Sequence, residues 1–378
     1  MSQNNDYSMI DAHIHYFLTP KYFHKLEDVD NELISGLGFD KISCASLTGA
    51  ADVSKSLTDK DVNVTLNNNL QIILLKAAYP ETVFAFGGLH HGLNGFSDNA
   101  ESYEDQINDL MEMGFDGVKM IEGKPTARKI FNKSLADPIL DMYYAYCEKN
   151  GIPILFHVAD PEEFWDSEKA PTAAKERGWF YAEGDYRKKE ELYEEIDTIL
   201  SRFPKLKIIF AHFYFLSADL NRASDFLSKW ENVNIDTTPG SEMYYNFSKD
   251  PKKSRNFFTK FQDKIIFGTD ILNIRKYEES KNRIRILKKF FETEEKDFPE
   301  WGLFKGEIQG IGLDKDTLRK IYKNNFEKIV GIKPKPIYID SVLKYSEKLQ
   351  DVFEKNNVDK SAVELAEALT DKIKSVMR

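Results

Sequence analysis

Eight short runs of strand-forming residues, separated by stretches of helical periodicity, constrain this chain more than any other feature. The runs are Met9–His15, Lys41–Ser46, Thr82–Leu89, Gly117–Ile121, Pro153–Val158, Lys207–His212, Asn232–Thr237 and Lys264–Thr269. Several are apolar on both faces, as in Ile154-Leu155-Phe156, Ile208-Ile209-Phe210 and Ile265-Ile266-Phe267. A strand buried on both sides reads this way, and such burial marks a parallel sheet covered by helices.

Between them, Ala100–Met113 places Ile107, Leu110 and Met111 on one face and is closed by Gly114. Helices are also expected over Ser134–Lys149, Lys188–Phe203, Asp219–Trp230, Arg275–Phe291 and Asp314–Val330. Eight strands with interleaved helices predict an α/β chain folded as a (β/α)8 TIM barrel. The alternative is an open doubly wound sheet, but no glycine-rich phosphate fingerprint opens a helix here. The barrel is expected over residues 1–332. Thr48–Thr65, Ala159–Arg187 and Thr293–Gly312 read as insertions. The second holds Trp165, Trp179, Phe180 and Tyr181, which would suit a lid. Past Gly331, a Lys-Pro-Lys-Pro run breaks helix. Amphipathic helices near Ile339–Lys355 and Lys360–Met377 then form a helical extension over 333–378, packed on the barrel or on a second copy in a homodimer.

A net charge of −10 argues against nucleic acid and anionic membrane as partners. No apolar stretch approaches the roughly 20 residues of a bilayer span. Residues 1–8 carry no basic and apolar leader, so a cytoplasmic location is expected. The two cysteines, Cys44 and Cys147, read as buried thiols.

The chemistry concentrates at strand ends. In Asp11-Ala12-His13-Ile14-His15, strand alternation puts His13 and His15 on one face. His157 and His212 fall at the ends of the fifth and sixth strands, and Asp270 follows the eighth. In a barrel these ends meet at one mouth. His13, His15, His157 and Asp270 then offer three nitrogens and one carboxylate to a single divalent ion. Zinc suits that set best, with manganese, iron or cobalt also acceptable. Such an ion lowers the pKa of bound water to ~7. Asp270 is the candidate to carry the proton, and His212 to polarise a carbonyl or assist it. Lys119, His90 and Arg275 are candidate substrate contacts, Arg275 through a bidentate bond to a carboxylate.

The chain resembles the amidohydrolase superfamily, in its amidohydrolase-2 branch with the aminocarboxymuconate-semialdehyde decarboxylase relatives. The matching pieces run in order from Ile10-Asp11-Ala12-His13-Ile14-His15 through Gly114–Lys119, Ile154–His157, Phe203–His212 and Ile266–Asp270 to Tyr322–Phe326. The resemblance implies a metal-dependent barrel with His13, His15, His157 and Asp270 as ligands and His212 as nearby acid/base. Binuclear members carry a carboxylated lysine on strand 4, the place of Lys119; a mononuclear site is the preferred reading here. Phe213-Tyr214-Phe215 and Ile271-Leu272-Asn273 depart from the family pattern, which leaves the substrate open. The expected activity is hydrolysis of a C–N or C–O bond in a small carboxylated molecule. Non-oxidative decarboxylation is the second reading, and a metal-binding barrel without turnover the third.

Overall fold

A computed structural model describes residues 7–48, 65–240, 242–296, 298–299 and 302–378. The expected insertion Thr48–Thr65 thus lies almost wholly outside the described residues. The strands are β1 (Ile10–His15), β2 (Lys41–Ala45), β3 (Val83–Gly87), β4 (Gly117–Gly123), β5 (Ile154–Val158), β6 (Ile208–Phe210), β7 (Val233–Asp236), β8 (Ile265–Ile266) and β9 (Ile271–Leu272). Every pairing is parallel, in the order β8-β7-β6-β5-β4-β3-β2-β1-β9.

β8 and β9 are two halves of one stave. The first half pairs with β7 and the second with β1, so the sheet closes into the expected (β/α)8 TIM barrel. The uninterrupted strand expected over Lys264–Thr269 is therefore corrected to two halves flanking residues 267–270. The break leaves backbone groups that need partners. Phe267 N–H donates to the Ile321 carbonyl at 2.9 Å, and its own carbonyl accepts from Ala12 N–H at 3.0 Å. Thr269 N–H donates to Asp11 Oδ1 at 3.0 Å, and Asp270 N–H to the His13 carbonyl at 2.9 Å.

The larger helices are α1 (Asn68–Ala78), α2 (Ala100–Met113), α3 (Asp141–Asn150), α4 (Lys189–Arg202), α5 (Leu220–Lys229), α6 (Pro251–Lys260), α7 (Tyr277–Glu292), α8 (residues 315–329), α9 (Ile339–Lys355) and α10 (Lys360–Val376). Gly114 closes α2 at φ 99°, and a Cβ there would meet the Pro336 carbonyl oxygen at 2.1 Å. Only glycine admits both the left-handed turn and that approach.

The barrel interior is filled by Ile10, Ala12, Ala45, Phe84, Phe86, Leu155, Ile209, Ala211 and Ile266. Phe326 of α8 plugs the amino-terminal end, edge-on to Phe84 at 5.0 Å. Ile14 and Tyr16 instead join the outer layer between sheet and helices.

Helix α1 has no counterpart among the helices expected from sequence. Nine consecutive residues, Asn68 to Lys76, are buried, so the apolar stripe that betrays a helix is missing. The barrel covers one side, and the α9–α10 hairpin covers the other. Asn67 Nδ2 donates to the Ala362 carbonyl at 3.0 Å and Asn69 Nδ2 to Tyr345 Oη at 3.1 Å. The connector before α9 is pinned by Lys335 N–H on Asp116 Oδ1 at 2.7 Å. Among the described residues no helix is long and apolar enough to cross a membrane.

Candidate metal centre

A bulge in β1 aims the paired histidines. Asp11 lies opposite Ile42, but Ile14 lies opposite Cys44, so one extra residue enters β1 between them. Ile10 and Ala12 face the interior below the bulge, and His13 and His15 face it above. Strict alternation would have put one pair outward. Asp11, fully buried, fixes the bulge by accepting from His13 N–H at 3.2 Å, Thr269 N–H and Thr269 Oγ1. Burial pushes its carboxyl up to about 7.

His13, His15 and Asp270 bring their ligand atoms within 4.8 Å of one another. Both imidazoles are oriented from behind. His13 Nδ1 lies 2.9 Å from Asp236 Oδ2, and His15 Nδ1 lies 2.7 Å from the Ala45 carbonyl oxygen. A carbonyl only accepts, so His15 Nδ1 carries a proton, and in the neutral ring Nε2 keeps its lone pair. That Nε2 is 3.3 Å from Asp270 Oδ1. Asp236 fixes His13 in the same sense, with Nε2 facing the Lys119 ammonium at 3.1 Å. Two imidazole lone pairs and a carboxylate form a donor set that fits zinc and its neighbours.

Electrostatics keep these groups in ligating form. Burial lowers His13 well below the ordinary imidazole range. Burial pushes the Asp270 carboxyl up, but the imidazoles of His15, His212 and His13 around it outweigh that and hold it well below the usual range. Burial brings Lys119 down to about 8.

Asp270 sits at φ 56°, and its backbone is clamped. Arg283 of α7 donates from Nη1 to the Thr269 carbonyl at 2.8 Å and the Asp270 carbonyl at 3.4 Å. A Cβ on Gly268 would stand 2.5 Å from Thr238 Oγ1 and 3.2 Å from His13 Cβ. The stave therefore passes behind His13 only because residue 268 has no side chain.

His212 leaves β6 in an unusual conformation. His212, Phe213, Tyr214 and Phe215 all have φ between 49° and 57°, a left-handed turn of four non-glycine residues. Each such residue costs about 1–2 kcal/mol, so the turn needs support. Asp236 Oδ1 accepts from His212 N–H at 2.8 Å, the Tyr214 carbonyl accepts from Tyr193 Oη at 2.9 Å, and the Phe215 carbonyl from Lys189 Nζ at 3.0 Å. The sixth strand, expected through His212, is corrected to end at Phe210, where this turn begins.

The His212 ring lies 5.7 Å from His13 and 4.7 Å from His157 by centroids. Its Nδ1 is buried without a hydrogen-bond partner among the described residues, a donor or acceptor left for a bound molecule. Burial lowers His212 and His157 each to about 4.

The other expected residues are distributed as follows. His157 lies against His212, outside the group of three, with Nε2 3.1 Å from the Ala159 carbonyl oxygen and 3.5 Å from Asp160 Oδ1. Lys119 points into the group. His90 stacks on Phe96 at 4.6 Å and bonds to Tyr345 of α9, which places it under the hairpin. Arg275 is exposed, and it is Arg283, two turns further on, that touches the site's backbone.

Past the strand ends, Phe17, Leu47, Ile121 and Ala127 make a separate apolar cluster, with Leu272 packed on it. The aromatic insertion packs on the other side. Tyr181 Oη and Lys124 Nζ both bond Asp160 Oδ2, and the Lys124 ammonium stands 4.6 Å from the Trp179 ring centre. Between the insertion and the turn after β6 lies a cavity of about 640 Å³ bounded by Trp165, Tyr181, Lys189 and Phe215. The Phe215 ring separates it from His157 and His212, at 5.5 and 5.2 Å.

Sequence reasoning passed over Asp236, Asp11 and Arg283. Asp236 had a legible signal, an acid at the carboxyl end of an otherwise apolar strand. Arg283 had none, since its role depends on how α7 crosses the broken stave.

The amidohydrolase family matches residues 10–332, and the chain belongs to that family. Members are metal-dependent enzymes. No curated protein matches the sequence. Among solved structures, an uncharacterised TIM-barrel protein from Bordetella bronchiseptica superposes with a TM-score of 0.50 at 14% identity, over 85% of this chain and 98% of its own. 4-Oxalomesaconate hydratase from Rhodopseudomonas palustris gives 0.49 at 15%, over 90% and 99%. 5-Carboxyvanillate decarboxylase from Novosphingobium aromaticivorans, complexed with manganese, gives 0.48 at 13%, over 87% and 97%.

Proposed function

We propose that this protein is a metal-dependent hydrolase acting on a C–N or C–O bond of a small carboxylated molecule. The observation that carries the reading is the orientation of the paired histidines. Each Nδ1 is held from behind, and the ligand atoms of His13, His15 and Asp270 lie within 4.8 Å of one another.

His13, His15 and Asp270 would hold the ion, zinc by preference, and His157 is the fourth candidate ligand from β5. A divalent ion there supplies Lewis acidity, bringing the pKa of water to ~7. Asp270, held ionised, accepts the proton of the attacking water and returns it to the leaving group. His212, held neutral, offers its unpartnered Nδ1 to the substrate oxygen on which charge develops. The Lys119 ammonium, with the apolar cluster of Phe17, Leu47 and Ile121 nearby, suits a substrate carboxylate on a partly apolar body.

Non-oxidative decarboxylation is the second reading, favoured by that apolar wall beside the lysine, since loss of CO2 is eased away from water. Protein loaded with Zn2+ or Mn2+ is to be tested against lactones, esters and amides for released acid or amine, and against aromatic and unsaturated acids for CO2. Acid or amine release supports the hydrolase, and CO2 release alone replaces it with the lyase. Failure of the purified protein to take up any divalent ion would refute both.

A further inference from the structure

Asp236 ends β7, is fully buried and holds two parts of the site with one carboxylate. Oδ2 lies 2.9 Å from His13 Nδ1. Oδ1 accepts from His212 N–H at 2.8 Å and from Thr238 N–H at 3.0 Å. We infer that Asp236 is the positioning residue of the metal centre: it sets the tautomer of His13 and, by anchoring the left-handed turn, the place of His212. The inference rests on the metal-site reading above for its effect on affinity, but not for its effect on the tautomer.

The argument is one of donors and acceptors. Three N–H groups converge on Asp236, and an ionised carboxylate accepts all three. Asn in its place brings one oxygen and one NH2 group. If the oxygen faces the two backbone N–H groups, the NH2 group faces His13 Nδ1. That nitrogen then accepts from the amide, as it can from the Thr238 hydroxyl at 3.3 Å, so the proton moves to Nε2, and Nε2 loses the lone pair a metal needs. The reverse orientation sets an NH2 group against two backbone N–H groups, a clash of donors that leaves buried groups unpaired. The first orientation keeps both backbone bonds of the turn and asks only the flexible Lys119 side chain, 3.1 Å from Nε2, to turn aside; it is the less costly, so Asp236→Asn locks His13 in the non-ligating form. His15 is oriented by a main-chain carbonyl and is indifferent to the change.

The test reads two quantities. Imidazole-15N-labelled, metal-free protein is examined by long-range 15N–1H NMR, with His13→Gln assigning the signal. Wild type should show His13 protonated on Nδ1, and Asp236→Asn should show it protonated on Nε2. Zn2+ and Mn2+ dissociation constants, measured against a competing chelator, should rise about 10–100-fold in Asp236→Asn. Asn325→Ala is the control for general weakening. It loses hydrogen bonds to the Gln262 and Ile265 carbonyls at the opposite end of the barrel and should lower Tm with tautomer and affinity unchanged. A variant that keeps the Nδ1 proton and wild-type affinity overturns the inference. So does a wild type with the His13 proton on Nε2, which requires no variant to fold. A tautomer switch in a protein that binds no metal would sustain the role of Asp236 and refute the proposed function instead.

Discussion

Glu242, in the loop after β7, is buried to 4% exposure, and its Oε2 has no hydrogen-bond partner among the described residues. Oε1 accepts from Ser217 Oγ at 3.3 Å. Burial pushes the carboxyl up to about 7; its own backbone N–H, the Lys189 charge and the Ser217 bond oppose this, and Glu163 adds to it. An acid whose folded pKa exceeds its unfolded value binds more protons folded than unfolded between the two. Stability is then lost as pH rises through that window. Carrying a carboxyl from 4.5 to about 7 amounts to roughly 3 kcal/mol at ~1.4 kcal/mol per pK unit. Glu242→Gln removes this titration. Its NH2 group takes the place of the unpartnered oxygen, an offset the same at every pH. Denaturant melts of both proteins at pH 4.5, 6, 7 and 8.5 should therefore show the difference in unfolding free energy moving by roughly 3 kcal/mol in favour of the variant between pH 4.5 and 7.5, then holding level. For a chain of 378 residues that is about 4 °C in Tm. A difference that stays constant across the series would refute the assignment of a buried, strained carboxyl at this position.

Further outcomes follow from the same geometry. His157→Ala should lose metal and activity together, whereas Asp270→Asn should keep part of the metal and lose turnover; full metal content in His157→Ala, by elemental analysis, removes His157 from the ligand set. Gly268→Ala should cost about 1–3 kcal/mol through overpacking on Thr238, and Thr238→Ala added to it should recover most of that in thermal melts. Lys76→Met strands Asp116, which its ammonium meets at 2.6 Å in full burial, and should cost about 3–5 kcal/mol; a loss under 1 kcal/mol would show the pair to be hydrated. Divalent ion at a hundred times its Kd should stabilise the wild type by about 2.7 kcal/mol, and a Tm indifferent to metal would contradict a preformed site.

The barrel was legible because its strands are apolar on both faces, and the His13/His15 pair because strand alternation is a local rule. What escaped the sequence is non-local or breaks that rule. The β1 bulge puts Ile10, Ala12, His13 and His15 all inward, and nothing in Asp11-Ala12-His13 announces it. The eighth stave looked continuous through Phe267-Gly268-Thr269, yet the near contact of Gly268 with His13 and the left-handed Asp270 split it. The turn at His212–Phe215 is opaque for a sharper reason: four residues with side chains adopt a conformation each disfavours, and Asp236, Tyr193 and Lys189, distant in sequence, help hold it. Arg275 is the nearer arginine to Asp270 along the chain, whereas helix geometry gives the contact to Arg283. Helix α1 was passed over because burial on every side erases periodicity.

That last helix has a consequence for biosynthesis. Its outer surface, where Asn67 and Asn69 meet the α9–α10 hairpin, waits for a cover that the ribosome makes only after every stave has been translated. A nascent barrel, however well closed, must carry a greasy flank through most of its synthesis. Chaperone capture at this stage, and aggregation of truncated products ending before Ile339, are where the molecule is most vulnerable.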